Sequence, residues 1–174
     1  MKRGPANLPD MPMLDGPTGL VPVTGFIVSG VSFYSYRVEV SIEDDDGEHL
    51  LLAIGGPFVL VGPDGARAVL DTEGDWTGLA ALLALKFVEL VELRIDAQSN
   101  LRLATKGGWA IEIQGDGGYE NWELSGHDRK WICAAGGGEP SYWPPNNAQT
   151  VTFTMREMRH RSETGDSGDG SSSP

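Results

Sequence analysis

Cysteine is nearly missing from this chain: Cys133 is the only one. An intramolecular disulfide is therefore excluded, and a single thiol fits a reducing compartment. Histidine is scarce too, at positions 49, 127 and 160. No two of these stand at i, i+2 or i, i+4, and no other metal-ligand spacing is present, so a metal site has no support. Positive charge is also short. Thirteen Lys and Arg face 25 Asp and Glu, giving a net charge of −12 at pH 7 and a pI near 4.5. Independent binding to nucleic acid or to an anionic membrane needs a cationic face, and this balance argues against both. Long apolar runs are absent. The longest, Leu79 to Leu85, falls far below the roughly 20 residues that cross a bilayer as a helix. Near the N-terminus Pro5, Pro9, Pro12 and Pro17 interrupt the stretch that would have to be continuously apolar in a secretory signal. These absences predict a soluble, cytoplasmic protein with no metal and no cofactor.

What the chain does have is an internal echo. Gly55-Gly56-Pro57-Phe58-Val59-Leu60-Val61-Gly62-Pro63-Asp64-Gly65 returns, 52 residues on, as Gly107-Gly108-Trp109-Ala110-Ile111-Glu112-Ile113-Gln114-Gly115-Asp116-Gly117. Gly-Gly, an alternating apolar run and Asp-Gly fall at matching places. Upstream, Val38-Glu39-Val40 is echoed by Val91-Glu92-Leu93, and Leu50-Leu51-Leu52-Ala53 by Leu101-Arg102-Leu103-Ala104. Two copies are too few for an open solenoid. They predict one β-meander used twice.

Period-two alternation and turn residues mark strands over 21–28, 36–42, 49–54, 58–61 and 66–70, then over 87–95, 100–105, 109–113 and 130–134, with 119–124 a strand or an ordered loop. Between the two sets, residues 76–85 carry Leu79, Leu82, Leu83 and Leu85 in an Ala-rich stretch. That pattern predicts a helix, with Asp71 or Asp75 as its cap. Residues 151–155 alternate again and predict an added edge strand, while 154–161 also suits a short basic helix. The fold class is α+β: mostly β, with two similar antiparallel meanders, residues 31–70 and 87–134, around one central helix. The organisation predicted is a flexible Pro/Gly-rich leader over 1–20, a single domain over 21–158, and a disordered Ser/Gly/Asp tail over 159–174.

In the second half Tyr119-Glu120-Asn121-Trp122-Glu123-Leu124 leads to Trp131-Ile132-Cys133-Ala134, then Gly136-Gly137-Gly138-Glu139 and Trp143. Gly56-Pro57-Phe58, Pro63-Asp64-Gly65 and the Leu-rich helix precede them. Over roughly residues 31–143 this series resembles a family of small actinobacterial proteins of unknown function, the DUF6188 type. The chain departs from that pattern at Ala135-Gly136-Gly137-Gly138, where the resemblance leads one to expect Pro-Gly-Gly. The resemblance implies domain boundaries and no activity. Small domains of this kind look similar to immunity proteins of bacterial toxin systems, an association by analogy.

No catalytic constellation stands out. Cys133 lies in an apolar strand, where a buried small hydrophobe is the ordinary role. His127 precedes it by six positions, but nothing in an acidic chain supplies the electropositive setting of a nucleophile. The Gly-rich segments lack the P-loop pattern and read as turns. Asp44, Asp45 and Asp46 form an acidic hairpin tip, either plain solvated surface or an electronegative prong for a cationic partner. Glu120 and Glu123 flank Trp122. On a strand Glu120 and Trp122 share a face, and a core Glu120 would need hydrogen bonds to survive there. Tyr142-Trp143 follows a Gly-rich loop, where large rings are hard to cover, so Glu139, Tyr142 and Trp143 form a candidate contact edge.

Three functions follow. The first is a non-enzymatic, acidic protein-binding module, immunity-like, that neutralises a basic toxin or effector by occlusion. The second is a small enzyme or small-molecule binder with a pocket near Glu120, Trp122 and Cys133. The third is a homo-oligomeric structural domain that pairs through the edge strand at 151–155.

Overall fold

The computed structural model describes residues 18–73, 76–115, 120–127, 129–133 and 138–143. The repeated alternation becomes strands, though the one expected over 87–95 begins only at Leu90 and the one expected over 119–124 runs over Trp122–Gly126. The first meander supplies β3 (Arg37–Glu43), β4 (His49–Ile54), β5 (Phe58–Val61) and β6 (Arg67–Leu70). The second supplies β7 (Leu90–Ile95), β8 (Leu101–Thr105), β9 (Ala110–Ile113) and β10 (Trp122–Gly126). Two strands precede them, β1 (Gly19–Leu20) and β2 (Ile27–Tyr34), and two follow, β11 (Lys130–Ile132) and β12 (Ser141–Trp143). They form two six-stranded antiparallel sheets, ordered β1-β7-β8-β9-β5-β6 and β12-β11-β10-β4-β3-β2. Each meander gives strands to both sheets. The first crosses after β4 and the second after β9.

The repeat survives at the level of single hydrogen bonds. At the β3–β4 turn, Asp44 N–H donates to the Glu48 carbonyl (3.1 Å) and Gly47 N–H to the Asp44 carbonyl (3.3 Å). The Asp44 carboxylate accepts the N–H groups of Asp46 (3.0 Å) and Glu48 (2.8 Å). The β7–β8 turn, 52 residues on, repeats all four. Asp96 N–H reaches the Asn100 carbonyl (3.0 Å) and Ser99 N–H the Asp96 carbonyl (3.1 Å). The Asp96 carboxylate takes the N–H groups of Gln98 and Asn100, each at 2.9 Å. Gly47 (φ +84°) and Ser99 (φ +59°) occupy the same left-handed position.

The core lies between the sheets. Inward residues alternate with outward ones: Val38, Val40 and Ile42 on β3, Leu101 and Leu103 on β8, and Ile111 and Ile113 on β9 are all buried. The sheets are joined along one side, where residues 26–28 pair with 87–90. Ile27 faces Glu89, and Phe87 N–H donates to the Val28 carbonyl at 2.7 Å.

Three further expectations need correction. The first strand does not run over 21–28. Thr24-Gly25 forms a turn, with Gly25 at φ +84°, so residues 21–26 cross as an irregular segment between β1 and β2, with Val21, Val23 and Phe26 buried. The helix is α-helical only over its first turn, α1 (Trp76–Leu79), and continues as a 3₁₀ segment, Ala80–Leu85. Leu79, Leu82 and Leu85 stand three apart, and three residues per turn put them on one stripe. All three are buried, and Leu83 is left outside. Asp71 does not cap that helix but accepts Glu73 N–H (3.0 Å) in the preceding turn; Asp75 lies outside the described residues. So do the segments 151–155 and 154–161, most of the leader and the tail.

Candidate functional site

The predicted site residues fall into three groups. At the acidic turn, the Asp44 carboxylate is taken up by the two backbone N–H groups already described, as an Asx turn requires. Asp45 and Asp46 are exposed and are the carboxylates this tip offers.

In the second group, Trp122 and Leu124 point into the core while Glu123 points out. The Trp122 ring is 1 % exposed. Its indole N–H donates to the Ser99 carbonyl at 2.7 Å, and its own carbonyl accepts Cys133 N–H at 3.1 Å. Cys133 is buried beside it. Burial pushes the Cys133 thiol above its ordinary pKa. Hydrogen bonds from the Asn121 and Trp122 backbones and from the Ser99 side chain partly oppose this, and the nearby Glu120 charge adds to the rise. A buried thiol held in its protonated form is a poor nucleophile. Glu120 precedes β10, is exposed, and so escapes the strand parity that would have put it beside Trp122 in the core. It lines a cleft of 170 Å³ with Arg37, Ala53, Gly55, Glu123 and Ile132, which Trp122 touches from beneath. Cys133 does not line this cleft. Among the described residues, this cleft therefore joins Glu120 to Trp122 and not to Cys133.

The third group lies on β12, at the edge of its sheet among the described residues. Tyr142 stands opposite Trp131, and their rings stack with centroids 5.0 Å apart and planes at 25°. Just before the strand, the Gly138 carbonyl accepts the Ser99 hydroxyl at 2.5 Å. These contacts fix the strand from its inner side. Trp143 points the other way, opposite Lys130, and is 50 % exposed. Glu139 is exposed as well.

Register places Trp143 in one outward row with Lys130, Ser125, Leu51 and Ser41. The row above holds His49 and Glu43, at the roots of the acidic turn. Trp143 is three strands from β4, about 14 Å at ordinary strand spacing. The aromatic edge thus shares a sheet face with the roots of the acidic turn. Small outward side chains (Gly30, Ser32, Ser41, Ser125) share that face with Arg37, Glu39, Leu51 and Glu123, and the cleft at Glu120 opens on it.

Two features escaped the sequence reading. On the outside of the other sheet, Arg67, Glu112, Arg102, Glu92 and Arg94 form a continuous ion-pair ladder. Arg67 meets Glu112 at 2.5 Å, Arg102 bridges Glu112 and Glu92, and Arg94 closes on Glu92 at 3.4 Å. A polar cleft of 290 Å³ adjoins it, lined by Arg94, Asp96, Arg102 and Gln114 among others. Strand parity alone would have set these charges on one face. Phe87, exposed and at φ +65°, gave no local signal, because its backbone is set by pairing with a distant strand. Among the described residues no cluster of His, Cys, Asp or Glu could hold a metal ion. No helix there is long and apolar enough to cross a membrane.

Comparison with known proteins adds one match. The model of a family described as a family of unknown function (DUF6188) fits residues 22–144. No curated protein and no solved structure matches the chain.

Proposed function

The chain belongs to the DUF6188 family, whose function is unknown, and we propose that this member is a non-catalytic protein-binding module. One observation carries the reading: an edge strand fixed from behind holds Trp143 half-exposed, on the same sheet face as Glu43 and His49, from which the acidic turn projects. A rigid aromatic costs little ordering entropy on contact and makes an effective anchor. Carboxylates at the rim, in a chain of charge −12, steer a basic partner towards the face. Contact across this face would occlude the partner's own working surface. We extend the reading to an immunity-like role in the cytoplasm of an actinobacterial cell, where the target is a basic toxin or effector. The protonated, buried state of Cys133 weighs against the enzymatic alternative.

The test is a kinetic division of labour against the partner recovered with the chain. Asp45→Asn with Asp46→Asn should slow association and flatten its salt dependence, leaving dissociation nearly unchanged. Trp143→Ala should speed dissociation by at least about tenfold, the size of a hot spot. If both variants bind with wild-type kinetics, the contact face is not this one.

A further inference from the structure

We infer that the corner where the two sheets join is a self-association surface, on which a second copy of the chain packs about a two-fold axis through Phe87. This goes beyond the protein-binding reading and centres on the junction at Phe87, meeting the other face only at Ile27, which pairs with Glu43.

Phe87 is where backbone and side chain disagree. Its φ of +65° lies in the left-handed region that bulky residues avoid. The backbone is held there by Phe87 N–H to the Val28 carbonyl (2.7 Å) and Val88 N–H to the Leu85 carbonyl (3.1 Å). Glycine would fill the position with less strain. The aromatic ring brings no compensating burial, since it is 70 % exposed. Strain maintained under a side chain that contributes nothing to the core points to a use outside the core.

Its neighbours extend the feature. Leu83 is 52 % exposed, Val91 56 % and Ile27 36 %. Lys86 N–H donates to the Leu83 carbonyl, Ile27 stands opposite Glu89, and Val91 is two residues beyond Glu89. Four of the eight large hydrophobics exposed among the described residues therefore collect at this corner, which marks it as a contact patch.

Charge selects the occupant. Every other described Lys or Arg reaches a carboxylate. Lys86 alone among them reaches none, and its ammonium lies 4.8 Å from the centre of the Phe87 ring. Glu89, 45 % exposed and bonded to Lys106 at 3.0 Å, lies within the same patch, opposite Ile27. An apolar patch that carries both an unpaired cation and a carboxylate offers charges of both signs to a second copy of itself. A two-fold rotation through Phe87 sets Lys86 of each copy against Glu89 of the other, an isologous contact. Four exposed apolar side chains make a contact smaller than the roughly 20–30 residues a side of a standard interface. The association is accordingly weak, with Kd on the order of 10–100 micromolar.

Sedimentation velocity on the full chain, from about 5 to 500 micromolar at low salt, spans that range. A monomer–dimer equilibrium is expected. Phe87→Gly should weaken it at least tenfold while its melting temperature stays level or rises, because the strained φ is relieved. A purely structural Phe87 would move the melting temperature down instead. Lys86→Glu and Glu89→Lys should each weaken the dimer, and the double exchange should restore it. Trp143→Ala should leave it unchanged, which keeps this inference separable from the protein-binding reading. A wild-type chain that stays monomeric across the range overturns the inference. So does a dimer that is lost with Trp143→Ala and kept with Phe87→Gly.

Discussion

Removing the Asp96 carboxylate should cost far more than removing its repeat-related counterpart, Asp44. In Asp96→Ala three hydrogen bonds disappear: those from the Gln98 and Asn100 backbones and the one from the Asn100 side-chain amide, each 2.9 Å. Asn100 is then free to leave Gly115, whose N–H its carbonyl oxygen accepts at 3.1 Å. Ser99, in the same turn, carries the carbonyl that receives the Trp122 indole. A hydrogen bond to a charged group contributes about 1.5–3 kcal/mol when sheltered and less when water can replace it. At roughly 1 kcal/mol for each of the two half-buried bonds from Asn100 and about 0.5–1 kcal/mol for the exposed one from Gln98, the loss is about 2.5–3 kcal/mol. Asp44→Ala removes two bonds that face solvent, for a loss of about 1 kcal/mol. Urea unfolding followed by far-ultraviolet circular dichroism reads both, provided the slope is unchanged. For a domain of this size the melting temperature should fall by about 6–12 °C in the first variant and 2–4 °C in the second. Equal losses, or a larger loss at Asp44, would show that the Asp96 turn does not hold the second meander as described.

Other expectations concern the core. Trp122→Phe removes the indole donor from the Ser99 carbonyl and opens a void, costing about 3 kcal/mol; a thermal melt within 1 °C of wild type would contradict the buried indole. Gly115→Ala would place a Cβ 2.3 Å from the Gln98 carbonyl oxygen, and the variant should fail to reach the native state, visible as loss of near-ultraviolet dichroism. Cys133 should resist iodoacetamide at pH 8 until denaturant is added. Its folded thiol pKa is raised by burial, so its contribution to stability is complete below the unfolded value of about 8.5 and is lost as pH rises through the folded value. Cys133→Ser should remove that alkaline loss, measured as the change in unfolding midpoint between pH 8 and pH 10.

The strands were legible where one face is buried and the other wet. β4 and β5 begin and end where alternation and turn residues say, and the Asp-Gly and Ser-Asn turns close the expected hairpins. The Gly-Gly pair shows where local sequence stops being informative. At Gly107-Gly108 it closes a hairpin, with Gly108 at φ +82° and Thr105 N–H on the Trp109 carbonyl at 2.9 Å. At Gly55-Gly56 the chain changes sheets instead, with Gly55 N–H on the Asn121 carbonyl at 2.8 Å. The same residues follow different paths because a partner some 65 positions away captures one of them. The site was legible in part. Trp122 and Trp143 look alike in sequence, each beside polar residues and Gly-rich turns. What separates them is Ser99, a residue of the opposite sheet, which accepts the indole of one and not the other. Asp44 could not be told from Asp45 by composition, because an Asx turn uses the first carboxylate of the run and leaves the next two to solvent.

The central claim is that this chain works by holding a protein partner on the face bearing Trp143. The most direct test is affinity purification of the full chain from its native host, wild type and Trp143→Ala side by side, through low-salt and then high-salt washes. The account predicts one basic protein at stoichiometric yield with the wild type, weakened by salt and lost with Trp143→Ala. Recovery of no stoichiometric partner, or of the same partner equally well with both chains, would contradict it.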